Sequence, residues 1–301
     1  MRTRYGLILF IFMATLLSCN KPRECADFDL LVDYEINEGP LQFDTLCYTN
    51  EAGNTFLITE VQWFLSNIEL ENEAGDWTTL HQRDLSDTLD ASRVFYIDTN
   101  IPESQTLHAQ PIPIGHYSSL RFTFGLDETD NYTGLFNDPP ESEMFWPEML
   151  GGGYHYMKLN GKYQNADSLL IPLAIHLGRG QNASHTEFYD NSFTVELPID
   201  LEVYAGRDYS IGIVMNINKW FRSPHVYDFN AFGSAIMQNQ EAQQLLKENG
   251  ADVFTAKNTE DMISLAEISK EILQKAAPKP HFMTWENFKN TISNIKNKGR
   301  S

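Results

Sequence analysis

The chain has 301 residues, of which 22 are Lys or Arg and 41 are Asp or Glu, so its formal net charge is −19. Its cations form no cluster, which argues against nucleic-acid binding because phosphate contacts need a basic face. Hydrophobic residues make up 42% of the sequence and aromatic residues 12%, which is too apolar for a disordered acidic chain. We therefore expect a globular protein that does not bind nucleic acid.

The first segment is typical of an export signal. Two arginines precede an apolar run, the arrangement of a charged n-region followed by an h-region. The run ends in Leu16-Leu17-Ser18-Cys19, which resembles a bacterial lipobox. We expect residues 1–18 to be a lipoprotein signal peptide, Cys19 to be lipidated, and residues 19–26 to form a tether at the membrane. An ordinary cleaved signal and an uncleaved anchor are the alternatives, and both still export the chain.

Cys25 and Cys47 are the cysteines that remain after Cys19. Export places them in a compartment that permits disulfides, so a Cys25–Cys47 bridge is one alternative. Two small buried thiols are the other, because spacing along the chain does not determine pairing. A structural zinc site is not expected, since two thiols without nearby partners fall short of a ligand set.

Short alternating or apolar runs separated by Gly, Pro, Asn and Asp continue from Asp27 to about Trp220. This pattern is typical of an all-β protein, and we expect an antiparallel β-sandwich. The predicted strands are Phe28–Tyr34, Thr55–Leu65, Val94–Asp98, Leu120–Gly125, Tyr154–Leu159, Leu169–His176, Ser192–Pro198 and Tyr209–Met215.

After the strands, the periodicity changes to that of helices. Residues 234–249 predict a helix with Ser234 as its N-cap and Gly250 at its end. Residues 259–276 predict a second helix, and residues 285–298 a last amphipathic one. We expect residues 257–301 to be a helical C-terminal extension that packs against the sandwich or trails from it.

Sequence signatures of enzymes are missing. The sequence has no GxSxG elbow, no HExxH helix and no GxxxxGK[ST] loop, and no nucleophile stands beside a base. Gly151-Gly152-Gly153 precedes a strand-like stretch rather than a helix, so it predicts a mobile or tightly turned loop and not a phosphate cradle. We expect a protein that is not an enzyme.

Two histidines on predicted strands could meet in space. In Tyr154–Leu159 the alternation places His155 and Met157 on one face, and His176 lies opposite the bulky face of its own strand. Across a hairpin-like pair, His155 and His176 could then come together with Met157 nearby. Imidazoles with a thioether neighbour suit copper. The alternative is that both histidines are solvent-exposed or hydrogen-bonded and hold no metal.

Three short segments in this part of the chain carry a family resemblance. They are Met144-Phe145-Trp146-Pro147, Gly152-Gly153-Tyr154-His155-Tyr156-Met157-Lys158-Leu159 and Ile175-His176-Leu177-Gly178. Together they resemble the MbnP-like domain of methanobactin-associated periplasmic copper proteins and of many exported bacterial lipoproteins. The resemblance covers residues 27–256, and its segments come in the family order.

The resemblance implies a copper site and a partner. In copper-binding relatives the metal is held by histidines and by a tryptophan that a dihaem enzyme oxidises to kynurenine. His176 matches the histidine of the HLG segment, His155 lies in the GYH stretch, and Trp146 matches the first tryptophan of an MxWxW motif. Glu148 stands at the second tryptophan position, which weakens the kynurenine expectation. The resemblance thus implies copper at His155 and His176, with Trp146 and Met157 as neighbours and a dihaem cytochrome c peroxidase-like partner.

Two functions follow as expectations. The first is a lipid-anchored protein of the bacterial cell envelope, at the periplasmic face or the outer-membrane surface, that binds copper or another transition metal. The second is a non-catalytic envelope module for an organic ligand or a protein partner, in which the histidines are structural. In that case tryptophans supply the anchors, namely Trp63, Trp77, Trp146 and Trp220.

Overall fold

The computed structural model describes residues 25–87, 89–182, 184, 186–233 and 235–258. The predicted signal peptide, the lipidation site Cys19 and the predicted helices over 259–276 and 285–298 lie outside the described residues. Cys25 and Ala26, which the sequence assigned to the tether, already belong to the first strand. Within the described residues, no helix is both long enough and apolar enough to cross a membrane.

Strands make up most of the described structure. They are β1 (Cys25–Ile36), β2 (Gly39–Pro40), β3 (Tyr48–Thr49), β4 (Thr55–Asn72), β5 (Trp77–Thr79), β6 (Val94–Asp98), β7 (Thr106–Pro113), β8 (Gly115–Phe124), β9 (Met157–Gln164), β10 (Leu170–Leu177), β11 (Gly180–Gln181), β12 (Phe188–Tyr189), β13 (Phe193–Val203), β14 (Asp208–Asn216) and β15 (Phe254–Asn258). The α-helices are α1 (Phe229–Phe232) and α2 (Gln240–Asn249).

Two main sheets face each other. The first has the order β15-β14-β1-β2, and β7 also pairs with β1. The second has the order β10-β9-β4-β8-β13, and β3, β5 and β6 also pair with β4. The pairing is antiparallel apart from β1 with β14, which run parallel. The expected all-β sandwich is confirmed, with the parallel pair as a departure from a purely antiparallel arrangement.

Alternation along the strands builds the core. In β1 every second side chain, from Ala26 to Ile36, is buried, as expected for a strand with one face on the core. Trp63 of β4 joins the two sheets, because its ring lies 5.4 Å from that of Phe254 in β15. The Trp63 Nε1–H also donates to the Tyr34 hydroxyl of β1 at 2.9 Å, which satisfies its one polar atom.

Each of the eight predicted strands overlaps a strand of the structure, and Val94–Asp98 has the predicted bounds. The predicted start of the next helix is wrong. Helix α2 begins at Gln240, where the Asn239 side chain accepts from the Ala242 N–H. Ala235 instead bridges to β10, Ile236 is fully buried, and a turn at Met237 and Gln238 leads into the helix. The helix ends at Asn249, as Gly250 predicted.

The two cysteines do not form the bridge that was one of the alternatives. Both are free thiols, with Cys25 half-buried at the start of β1 and Cys47 exposed just before β3. The other alternative, two buried thiols, is not met either, because the side chain of Cys47 is exposed. Cys25 is instead paired with Pro113 in the sheet register, next to β7.

Candidate metal centre

A tight hairpin positions His155. The N–H of Trp146 donates to the Gly153 carbonyl and the N–H of His155 donates to the Met144 carbonyl, both at 2.7 Å. Between these bonds Gly151-Gly152-Gly153 turns the chain with φ values of 111°, 66° and 82°. Only glycine adopts three such values in succession without strain, so the predicted tight turn is confirmed.

The ladder of β9 and β10 positions His176. His176 pairs with Lys158 and Ala174 pairs with Asn160, so these side chains share one face of the sheet. The intervening residues Leu173, Ile175 and Leu177 are buried on the other face. The predicted placement of His176 opposite the bulky face of its strand is therefore confirmed.

His155 and His176 meet, as the sequence predicted. Their ring centroids lie 5.3 Å apart and the ring planes make an angle of 82°. Both rings line a surface pocket of about 510 Å³, together with Glu60, Lys158, Asn160 and Met237 among others.

The imidazole of His155 presents an unused lone pair. Its Nδ1 lies 2.9 Å from the Met144 carbonyl oxygen, which can only accept, so Nδ1 carries the proton. Nε2 is then unprotonated, and it is buried without a hydrogen-bond partner among the described residues. An orphaned acceptor in a residue only 6% exposed is costly unless something binds it.

The tautomer of His176 is fixed by a chain of hydrogen bonds. Asn160 Nδ2 donates to the Glu60 carboxylate at 3.0 Å, which orients the amide so that its oxygen faces the histidine. His176 Nε2–H donates to that oxygen at 2.9 Å. The lone pair of His176 is therefore on Nδ1. Such an outer partner is typical of histidines that bind metals.

Both imidazoles are held in the neutral form. Burial lowers the pKa of His155 to about 3, and the neighbouring Lys158 and His176 act in the same direction. Burial and then the Lys158 ammonium lower the pKa of His176 to about 4. Neutral imidazole is the form that coordinates metals, so near pH 7 protons do not compete for either lone pair.

Trp146 is a neighbour of the pair but offers no ligand atom. Its ring lies 4.7 Å from that of His155 in an edge-to-face contact, and it is 1% exposed. Its Nε1–H donates to the Leu150 carbonyl at 3.1 Å. An indole has no lone pair for a metal, so Trp146 in this form acts by packing His155 in place.

The expected role of Met157 is wrong. Met157 pairs with Leu177 in the register, and the two belong to the hydrophobic core on the face opposite to His176. The prediction placed His155 and Met157 on a common strand face. His155 precedes the start of β9, however, so the alternation of the strand does not extend to it.

A different methionine lines the pocket, and the sequence pattern gave no sign of it. Met237 comes from the segment between α1 and α2, 61 positions after His176 in the numbering of the chain. Nothing near Met237 in sequence marks it as a ligand, because Ile236 precedes it and Gln238 and Asn239 follow it. Lys158 lines the same pocket and donates from Nζ to the main-chain carbonyl of Glu143 at 2.8 Å.

The donor set fits a soft transition metal better than a hard one. Two neutral imidazoles each present one free lone pair, and a thioether lines the same pocket. Within the described residues, no three His, Cys, Asp or Glu side chains form a group that could hold a metal. Imidazole is a ligand of zinc, copper, iron and nickel, and thioether is a soft ligand that suits Cu(I).

Three of the four tryptophans expected as anchors for the alternative function are buried. Trp63, Trp146 and Trp220 are fully buried in the structure. Trp77 is half-buried and its ring is covered by the Arg121 guanidinium, 3.7 Å from the ring centroid. The three buried side chains pack in the fold, and Trp77 keeps part of its surface exposed.

Comparison with known proteins identifies the family. The family model MbnP matches residues 26–240, which is more than half of the chain. The chain belongs to the MbnP family. The solved structure of MbnP from Methylosinus trichosporium is similar with 14% sequence identity and a TM-score of 0.48, and the match covers 67% of this chain and 80% of that one. No curated protein matches the chain.

The MbnP match contains the whole pocket. It spans the hairpin that carries His155, the strand that carries His176 and the segment that carries Met237. The expected resemblance to this family is therefore confirmed, and the segments on which it depended are those that build the histidine pair.

Proposed function

We propose that this MbnP-family protein binds copper through His155 and His176, with Nε2 of the first and Nδ1 of the second as ligand atoms. The observation that carries the proposal is the buried and unpartnered Nε2 of His155, whose ring lies 5.3 Å from that of His176. A structural histidine would use both ring nitrogens in hydrogen bonds or expose one to water. In this proposal the site holds the metal for acquisition or transfer. The protein then handles copper without catalysing a reaction.

The cellular setting of this function follows from the N-terminal sequence. We propose that the protein is an envelope lipoprotein, exported by residues 1–18 and anchored through a lipid on Cys19. Export brings the copper site to the periplasmic face or the outer-membrane surface. Metabolic labelling with a fatty-acid probe tests the anchor, because a Cys19→Ala variant should lose the label, whereas a label that persists contradicts the proposal.

A partner is proposed as well. The family resemblance implies a dihaem cytochrome c peroxidase-like enzyme that oxidises a tryptophan, which corresponds to Trp146. Phe145 precedes Trp146, lines the pocket and is 60% exposed, so an apolar side chain is accessible to a partner at the pocket. Mass spectrometry of protein isolated from its native envelope tests this proposal. A Trp146 that is unmodified there contradicts it.

The copper site is tested by loading the soluble form that starts after Cys19 and measuring bound copper by elemental analysis. The parent should retain stoichiometric copper after desalting, and both His176→Ala and the His155→Ala/His176→Ala double variant should lose it. His108→Ala is the matched control, because His108 is 55% exposed and pairs with Asp29 away from the pocket. Equal copper in the parent and the double variant would falsify the site.

A further inference from the structure

We propose that Met237 is a third metal-binding residue of the pocket, and that its thioether makes the site selective for Cu(I) over Cu(II). This inference rests on the proposed function, because it concerns the same metal in the same pocket. The sequence predicted a thioether ligand at Met157, which the register of β9 places in the core. Met237 reaches the pocket from a remote part of the chain.

The backbone places the Met237 segment beside β10. Ala235 forms a parallel bridge with Ala174 of β10, and a turn at Met237 and Gln238 follows it. Met237 and His176 each come two positions after a residue of this bridge in sequence. Both residues line the same pocket.

The Met237 segment is held in place by buried contacts. Gln243 of α2 is fully buried, and its Nε2 donates to the Met237 carbonyl at 3.1 Å. The Oε1 of the same side chain accepts from the Gly178 N–H at 3.1 Å. The side chain of Gln243 thereby connects Met237 to Gly178, which follows β10 directly and lies two residues after His176. Ile236, which is fully buried, anchors the segment from the other side.

The ligand types in the pocket favour a soft cation. Thioether and neutral imidazole are ligands that suit Cu(I), whereas Cu(II) prefers a tetragonal set of nitrogen and oxygen donors. Glu60 is engaged by the amides of Asn160 and Asn100, and Glu143 is exposed. The Lys158 ammonium lies in the same pocket as these two carboxylates and offsets part of their charge, so the ligand types rather than the local charge set the preference.

The test compares Met237→Leu with Met149→Leu. Leucine keeps the apolar volume of methionine but has no sulfur. Met149 is 75% exposed and does not line the pocket, so its variant is the matched control. Copper K-edge absorption of the Cu(I)-loaded parent should show a sulfur neighbour that Met237→Leu loses and Met149→Leu keeps. Competition with a chromophoric chelator should show Cu(I) affinity falling at least about tenfold in Met237→Leu, with Cu(II) affinity unchanged.

A second measurement needs no substitution. Loading the parent with Ag(I), a redox-inert substitute for Cu(I), should slow peroxide oxidation of Met237 to the sulfoxide, as followed by peptide mass spectrometry. Met149 should oxidise equally fast with and without the metal.

The outcomes separate the two proposals. Absence of sulfur scattering in the parent, or its persistence in Met237→Leu, overturns the role of Met237. If the His155→Ala/His176→Ala variant still loses copper in that case, the histidine site stands. A parent that binds no copper overturns both.

Discussion

At the residue scale, the site depends on a close contact between a glycine and a tryptophan. Trp146 packs edge-to-face on His155, and its six-membered ring lies against Gly178 on its other side. A Cβ at Gly178 would be 2.5 Å from Trp146 Cε3, which is closer than any real contact. The glycine that follows His176-Leu177 in the sequence is therefore needed to seat the indole, and the indole in turn holds His155.

Gly178→Ala should accordingly destabilise the fold and weaken copper binding. Overpacking a core by one methyl group costs about 1–3 kcal/mol, and the displaced indole moves His155 away from His176. Urea unfolding and copper competition measure the two effects. Gly39→Ala is the control, because no atom lies within 4 Å of its added Cβ. Equal unfolding free energies for the two variants would contradict this packing.

At the element scale, α2 supports the pocket through polar groups and not only through its apolar face. Gln243 accepts from the N–H of Gly178 and from Nδ2 of Asn191, and it donates to the carbonyls of Met237 and Ile236. The helix is thereby connected to the end of β10. The sequence predicted this helix, yet it did not distinguish the buried Gln243 from the exposed Gln244 beside it.

Gln243→Leu should be strongly destabilising, and Gln244→Leu should be close to neutral. The first substitution leaves the buried Gly178 N–H without its acceptor and removes the hydrogen bond to the Met237 carbonyl, which together cost about 2–3 kcal/mol. The second removes a surface contact with Glu248, and such changes stay within about 0.5 kcal/mol. Chemical denaturation followed by circular dichroism compares them, and similar losses in both variants would show that Gln243 has no special role.

At the scale of the whole molecule, the last described strand completes the sandwich. Strand β15 pairs with β14 over Ile211 to Met215. Its Phe254 ring contacts Trp63 and Phe122 of the opposite sheet at 5.4 and 5.2 Å. The family match ends at residue 240, so the chain needs residues beyond that match to close its core.

A chain that ends at Val253 should therefore be less stable than one that ends at Asn258. The shorter chain loses Phe254 and exposes the edge of β14, and the loss of one buried phenylalanine alone costs at least about 3 kcal/mol. Thermal unfolding of the two truncated proteins makes the comparison. Matching unfolding temperatures would show that β15 is dispensable.

The sequence by itself determined the strands, the all-β class and the face on which His176 lies. These features depend on the alternation of apolar and polar residues over a few positions, which can be read from the sequence directly. It also predicted that His155 and His176 meet, because two adjacent strands with a short connection pair as a hairpin.

Only the tertiary structure decided which other groups join the two histidines. It excluded Met157, because β9 begins after His155, and it brought in Met237 through a bridge between Ala235 and Ala174. The free lone pairs, likewise, depend on the Met144 carbonyl and on the Asn160 amide. The physical reason is that tertiary packing sets which remote segments lie side by side and which groups hydrogen-bond to each other. A local sequence pattern contains no information about either.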